Sequence, residues 1–129
     1  MSLCCLCQGT SSSAVNCKQH GVTTVTGYKP GRDTEWINQD NYLVKEDITD
    51  LKGGRHIYAV FDGHGSTGHE ISTFCRDELL NILALTGDCF VPAFEQLHDA
   101  LGKSSIDTDS SGTTCAIITI KEGILEVRE

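Results

Sequence analysis

The spacing of apolar positions divides the chain into a strand-rich first part, a helical middle and a strand-rich end. Residues 20–28 and 39–45 carry β-branched and aromatic residues in short runs, which are typical of strands. Residues 55–62 predict a third strand, because Ile57 to Phe61 are all apolar. A continuous run of this kind predicts burial on both faces of a sheet.

Apolar residues then recur at helical spacing in two successive segments, the first following Thr67 and ending at Gly87, the second ending at Gly102. The positions that carry this pattern are Ile71, Phe74, Cys75, Leu79, Ile82 and Leu83, then Phe90, Phe94, Leu97 and Leu101. Thr67 and Glu70 have the spacing of a capping box. Pro92 lies near the predicted start of the second helix, where proline is tolerated.

The last part of the chain returns to the pattern of strands. A polar loop over residues 103–112 leads into a predicted strand over 113–120, and Glu122–Gly123 predicts a tight turn into a final strand over 124–128. Strands that follow one another without crossover helices predict antiparallel pairing and an α+β fold. Because a hairpin usually continues into a larger sheet, we expect the domain to be truncated at Glu129.

Composition and charge limit the function classes. The chain has 129 residues, of which 39% are hydrophobic and 22% are charged, as in one soluble globular domain. Its formal net charge is -8, which argues against nucleic acid as a partner. No apolar run reaches the ~20 residues needed to cross a bilayer.

Seven cysteines are many for a chain of this length. Four lie near the N-terminus: Cys4, Cys5, Cys7 and Cys17. Cys75 and Cys115 fall within apolar patterns, so we interpret them as small buried hydrophobes. The odd count and the absence of a signal-peptide pattern favour a reducing compartment, which is the cytoplasm or the nucleus.

The cysteine- and serine-rich N-terminus is interpreted as a disordered leader over residues 1–18, ahead of a domain over 19–129. S-acylation at Cys4 or Cys5 is an alternative, but no second lipid signal accompanies it, so we expect no stable membrane anchor. A zinc site formed by these cysteines and His20 is another alternative, although its spacing matches no common pattern.

Candidate chemistry is concentrated where the third strand ends. Asp62 lies at the end of a buried strand, where a carboxylate requires a partner or a cation to offset its desolvation. Gly63 and Gly65 leave the main chain open to an ion or a phosphate, and His64 between them could serve as a general acid near neutral pH. The alternative is an ordinary Asp-Gly turn without a functional role, which this pattern alone favours.

A second carboxylate, Asp40, lies near the start of the second predicted strand. If that strand pairs with residues 55–62, the register decides whether Asp40 and Asp62 meet, and the sequence does not fix the register. Asp40 within a run of polar residues is also compatible with a simple turn. On these residues alone, a metal site is one of two open interpretations.

Three motifs in order resemble the metal-dependent protein phosphatases of type 2C. They are YAVFDGHG at residues 58–65, DSSGTT at 109–114 and NQD at 38–40, and the resemblance covers residues 20–129. It implies an α+β fold, part of a β-sandwich of two antiparallel sheets flanked by helices. It also implies two Mg²⁺ or Mn²⁺ ions in the complete domain, a phosphoprotein substrate and a monomer.

The resemblance further implies roles for individual residues. Asp62 would bridge two metal ions, Gly63 would bind one through its carbonyl oxygen, and Asp40 would hold a metal ligand. The ions would activate a water molecule for attack on phosphoserine or phosphothreonine, with His64 as the general acid. Residues 111–114 would be a structural strand entry.

The sequence departs from the family pattern at two positions. Gln39 stands where many members have a metal-binding glutamate, and an amide oxygen can still ligate a hard cation without its charge. Glu35 stands where the family often has a phosphate-gripping basic residue, a role for which Arg32 is the nearest substitute. The leading hypothesis is an incomplete Ser/Thr phosphatase that is inactive alone; the alternative is a pseudophosphatase or a protein-interaction module.

Overall fold

The computed structural model describes residues 2–4, 20–27, 31, 36–48 and 55–129. Within these ranges the strands are β1 (Ser2–Cys4), β2 (Gly21–Thr23), β3 (Asp40–Ile48), β4 (Arg55–His64), β5 (Gly112–Thr113), β6 (Ala116–Lys121) and β7 (Ile124–Arg128), and the helices are α1 (Gly68–Leu85) and α2 (Phe90–Gly102).

The main sheet has the order β3-β4-β6-β7, with β5 paired to the end of β4, and all of these pairings are antiparallel. Helix α1 packs on β3 and β4, and α2 packs on α1. The predicted α+β class with an antiparallel sheet flanked by helices is therefore confirmed. No helix of the described part combines the length and the apolar character needed to cross a bilayer.

The alternation of side chains along β4 decides which face of the sheet the helices cover. Ile57, Ala59 and Phe61 are buried in the core, whereas Tyr58 and Val60 on the other face are only half-buried among the described residues. The sequence predicted burial on both faces of β4, but only the face that packs on the helices is fully buried. The other face nevertheless carries a row of apolar side chains: Tyr42, Val44, Tyr58, Val60, Ile118, Ile120, Leu125 and Val127. A second sheet packed there would complete the expected sandwich.

The core lies between this sheet and the two helices. It is formed mainly by Ile57, Ala59, Phe61, Ile71, Leu79, Ile82, Leu83, Ala93, Leu97 and Ile117. Cys75 is buried in this cluster and Cys115 packs against it, which confirms both as small apolar side chains. Burial raises the pKa of the Cys75 thiol to about 11, and burial together with the neighbouring Cys75 raises that of Cys115 to about 12. Both thiols therefore stay neutral at physiological pH.

The predicted strand over 113–120 is divided into β5 and β6, with Thr114 and Cys115 between them. The two strands keep one register along β4, because Gly63↔Thr113 and Val60↔Ala116 are separated by the same number of residues on each side. The prediction of a single uninterrupted strand was wrong because Thr114 turns its side chain to the main chain of β4.

The ends of both helices follow the sequence signals at their C-termini. Gly87 adopts a positive φ of 61° just after α1, and the amide of Asp88 donates to the carbonyl of Leu83, which closes the helix as predicted. Helix α2 ends at Gly102, and Pro92 lies in its first turn. The hairpin between β6 and β7 turns at Glu122–Gly123, also as predicted.

The first strands differ most from the prediction. Of the described part of the predicted strand over 20–28, which is residues 20–27, only Gly21–Thr23 is a strand, and it pairs with Ser2–Cys4 from the predicted leader. The other leader residues before His20, and residues 49–54 between β3 and β4, lie outside the described residues. Strand β3 begins at Asp40 and runs to Ile48, one residue later and three residues further than predicted.

A buried ion pair beside the core provides the first testable prediction. Arg55 is 9% exposed, and within the described ranges its Nε and Nη1 atoms have no hydrogen-bond partner. Its Nη2 lies 3.8 Å from Oδ2 of Asp88, and its Cζ lies 5.9 Å from the ring centroid of Phe90. Desolvation of both charges should outweigh so long an ion pair.

We therefore expect Arg55→Met alone to lower the free energy of unfolding by about 2 kcal/mol, because it leaves Asp88 buried without its partner. Adding Asp88→Asn should restore wild-type stability to within about 1 kcal/mol, since asparagine tolerates the positive φ of 68° that Asp88 adopts. Urea unfolding of both variants and of Asp88→Asn measures this cycle. A double variant that stays about 2 kcal/mol or more below wild type would show that the ion pair stabilises the fold.

Candidate metal and phosphate-ester site

Two carboxylates face each other across the main sheet. Strands β3 and β4 pair so that Asp40 and Asp62 are direct partners. Directly opposed residues in an antiparallel pair have Cβ atoms about 4.5–5.5 Å apart, and like charges at this position destabilise the sheet. The register that the sequence left open therefore brings the two carboxylates together, at a place that favours a cation between them.

His64 belongs to the same group because β4 continues through the predicted turn. Gly63 pairs with Thr113 and His64 pairs with Gly112, so the prediction that the strand ends at Asp62 was wrong. The chain turns only at Gly65, which has a φ of 85°. Since side chains alternate along a strand, Asp62 and His64 point to one face, which is also the face of Asp40. Both Asp62 and His64 are exposed.

The main chain at Asp62 is held by Thr114. The amide of Thr114 donates to the carbonyl oxygen of Asp62 at 2.9 Å, and the amide of Asp62 donates to Oγ1 of Thr114 at 3.3 Å. At the break between β5 and β6, the side chain of Thr114 thus replaces a main-chain ladder bond to β4. This contact supports the interpretation of residues 111–114 as a structural element beside the site.

The glycines of this segment allow a close approach between β4 and α1. A Cβ atom on Gly63 would collide with the carbonyl oxygen of Gly68 and would lie 2.6 Å from that of Gln39. The amide of Gly63 donates to the same Gln39 oxygen at 3.3 Å. Only a residue without a side chain can therefore follow Asp62 here.

The start of α1 is not capped as the sequence suggested. Within the described ranges Thr67 makes no side-chain cap bond, so the capping-box prediction was wrong. Its Oγ1 instead donates to the carbonyl of Asp107 at 2.5 Å, and its amide donates to Oγ of Ser111 at 3.1 Å. The loop before β5 supplies the cap, which only the tertiary fold could reveal.

The remaining predicted site residues differ in what the structure says of them. Gln39 immediately precedes β3, and its Nε2 donates to the carbonyl oxygen of Gly65 at 2.8 Å. Its own carbonyl accepts from Oγ of Ser72 at 2.7 Å. Arg32 and Glu35 lie outside the described residues.

A polar network that the sequence analysis missed joins β3 to α1. Nδ2 of Asn41 donates to Oγ of Ser72 at 2.9 Å and to Oγ1 of Thr73 at 3.1 Å, and Nη1 of Arg76 donates to Oδ1 of Asn41 at 2.7 Å. Ser72 is fully buried. The available signal was a serine beside the apolar stripe of α1, where a buried hydroxyl requires a partner.

Comparison with known proteins identifies the kind of chain that carries this site. No protein-family model matches it. It is 33% identical over 111 residues to a probable protein phosphatase 2C 35 from Arabidopsis thaliana, a match that covers 78% of this chain and 30% of the relative. This chain is a relative of the type 2C protein phosphatases. The resemblance predicted from the three motifs is confirmed.

A solved structure gives a weaker likeness. The PPM Ser/Thr phosphatase from Mycobacterium smegmatis, solved in complex with cacodylate, is 22% identical with a TM-score of 0.46. The likeness covers 81% of this chain and 50% of that chain. Both comparisons show that this type 2C relative spans only part of the length of the proteins it matches.

The candidate metal donors of this chain are of the kind that a hard divalent cation prefers. Asp40, Asp62 and the carbonyl of Gly63 would offer oxygen atoms, which Mg²⁺ and Mn²⁺ prefer. Among the described residues, however, no group of three or more His, Cys, Asp or Glu side chains could hold an ion. The carboxylate pair would therefore be only part of the ligand set for an ion that prefers about six ligands.

The position of His64 gives a second prediction. A Cβ atom on Gly112 would lie 2.9 Å from Nε2 of His64, so the ring rests where residue 112 has no side chain. We expect Gly112→Ala to displace the imidazole while costing no more than about 1 kcal/mol of stability, because a ring can rotate away.

The NMR signals of the His64 ring check this expectation. Gly102→Ala is the control, since nothing lies within 4 Å of a Cβ atom placed there. Unchanged His64 signals in Gly112→Ala would contradict the described packing of the ring.

Proposed function

We propose that this chain contributes part of the active site of a metal-dependent protein Ser/Thr phosphatase that hydrolyses phosphoserine and phosphothreonine. The observation that carries the proposal is the pairing of Asp40 with Asp62 across β3 and β4, with His64 on the same face. The relation to type 2C protein phosphatases supports the reaction class.

The two carboxylates would hold the metal. Asp62 would be the main ligand for Mg²⁺ or Mn²⁺ in the complete domain, the carbonyl oxygen of Gly63 would add a ligand, and Asp40 would hold a further metal ligand. A divalent cation at this position would neutralise phosphate charge and activate water for hydrolysis. The cation would also offset the repulsion between the two negative charges of Asp40 and Asp62, which explains why they can face each other.

His64 is proposed as the general acid that delivers a proton to the serine or threonine oxygen as it leaves. A histidine can carry this proton near neutral pH. The ring is exposed and stands at the strand end beside the carboxylates, where a substrate could approach it. Its packing against Gly112 limits where the imidazole can lie.

The rest of the proposed setting follows from the sequence. A phosphoprotein is the proposed substrate, the domain is proposed to act as a monomer, and the cytoplasm or nucleus is its proposed location. Because Asp40, Asp62 and Gly63 are too few ligands for firm metal binding, we propose that residues 1–129 alone do not turn over substrate and that further ligands complete the site.

A chimeric phosphatase tests the function. The matched region of the Arabidopsis relative would be replaced by this chain, and phosphate release from a phosphothreonine peptide would be measured with and without Mn²⁺. We expect Mn²⁺-dependent release, and its loss in Asp62→Asn. The unaltered relative is the positive control. A folded chimera that binds Mn²⁺ and the peptide without releasing phosphate would favour the interaction-module alternative.

A further inference from the structure

The side chain of Gln39 bonds to the segment that carries His64. Its Nε2 donates to the carbonyl oxygen of Gly65 at 2.8 Å, while its main-chain oxygen accepts from the amide of Gly63 at 3.3 Å. Gly63 and Gly65 are the two neighbours of His64 in sequence. One residue just before β3 therefore holds the main chain on both sides of the candidate proton donor.

The amide of Gln39 also lies on the other side of the sheet from the carboxylates. A Cβ atom on Gly68 would lie 2.5 Å from Oε1 of Gln39, which places this oxygen against the first residue of α1. The buried Oγ of Ser72 in the same helix donates to the carbonyl of Gln39. Asp40 and Asp62 instead point away from α1, because they alternate with the helix-facing residues of β3 and β4.

The bond to Gly65 requires an amide at position 39. A carbonyl oxygen only accepts, and the Gln39 side chain supplies the N–H donor that it needs. Glutamate at this position would present a second acceptor to Gly65 at neutral pH, so the bond would be lost and the two oxygens would repel each other. The difference from the glutamate typical of the family thus matches a different use of the side chain.

We infer that Gln39 is a positioning residue, which fixes His64 by clamping Gly63 and Gly65 to the start of β3, and that it is not a metal ligand. The purpose of this positioning rests on the proposed function, but the hydrogen bonds of Gln39 do not depend on it. It revises the expectation that the Gln39 oxygen binds the cation.

The wild-type chain offers a direct test by NMR. The Nε2 protons of Gln39 should exchange with water at least several-fold more slowly than those of Gln96, an exposed glutamine on α2. The chemical shift of one of the two protons should differ from that of the other because of its hydrogen bond to Gly65. Exchange as fast as that of Gln96 would overturn the inference without any variant having been made.

Gln39→Glu separates positioning from ligation, with Gln96→Glu as the matched control for the added charge. We expect Gln39→Glu to lower Tm by several degrees at pH 7, to move the ring signals of His64, and not to tighten Mn²⁺ binding. Gln96→Glu should leave all three unchanged. A stable Gln39→Glu that binds Mn²⁺ several-fold more tightly, with unmoved His64 signals, would show that position 39 is a ligand site.

Gln39→Met keeps the test decisive if the glutamate variant does not fold. Methionine has a similar volume against Gly68 but no donor, so His64 signals should still move while the fold is retained. If the chimera with the Arabidopsis relative shows no Mn²⁺-dependent phosphate release, the phosphatase proposal fails. The amide exchange and the His64 signals would then still decide the role of Gln39.

Discussion

Gly63→Ala is expected to lower the free energy of unfolding by about 3 kcal/mol, at the upper end of what overpacking usually costs. The added Cβ would collide with the carbonyl of Gly68 and would lie 2.6 Å from that of Gln39, and both are main-chain atoms that cannot rotate away. Relief would require α1 to move away from β4 and the main chain at Gln39 to move as well, and the second movement would lengthen the bond from the Gly63 amide to Gln39.

Urea unfolding, followed by far-UV circular dichroism, measures this cost. Gly102→Ala is the control, because it adds the same methyl group where nothing lies within 4 Å, and it should change stability by no more than about 1 kcal/mol. If Gly63→Ala were as stable as this control, β4 and α1 could not approach each other as closely as described. The packing that places His64 beside the carboxylates would then be wrong as well.

The helices and most strands could be predicted because their signals are local. The apolar stripe of α1, the glycine after it and the Glu122–Gly123 turn each depend on neighbouring residues, and each is found as expected. Elements that depend on distant partners were predicted less well. β4 runs on to His64 because β5 pairs with it, and β5 follows more than forty residues later in the chain.

The candidate site shows the same division. The sequence identified Asp40, Asp62 and His64 as residue types suited to a metal site, but their meeting depends on a register that no local pattern fixes. Ser111 and Thr114 support the site through the amides of Thr67 and Asp62, and their distance along the chain hides these contacts. Gln39 was assigned by analogy of position, whereas its hydrogen bond reveals a donor.

Asp62→Asn is expected to abolish stabilisation by divalent cations while leaving the metal-free protein intact. Without metal, the substitution removes one of two like charges that face each other, so it should raise the free energy of unfolding by less than about 0.5 kcal/mol. With Mn²⁺ at tenfold its Kd, the wild type should gain about 1.4 kcal/mol by linkage, and the variant should gain nothing. Thermal unfolding at several Mn²⁺ concentrations measures both effects.

Asp99→Asn is the matched control, since it removes the same charge from an exposed position on α2. It should retain the full Mn²⁺-dependent rise in stability, because the net charge of the chain alone does not create a site. Equal stabilisation of Asp62→Asn and wild type would place the cation elsewhere. A metal-free Asp62→Asn destabilised by more than about 1 kcal/mol would mean that the carboxylate supports the fold, because relief of repulsion cannot destabilise the sheet.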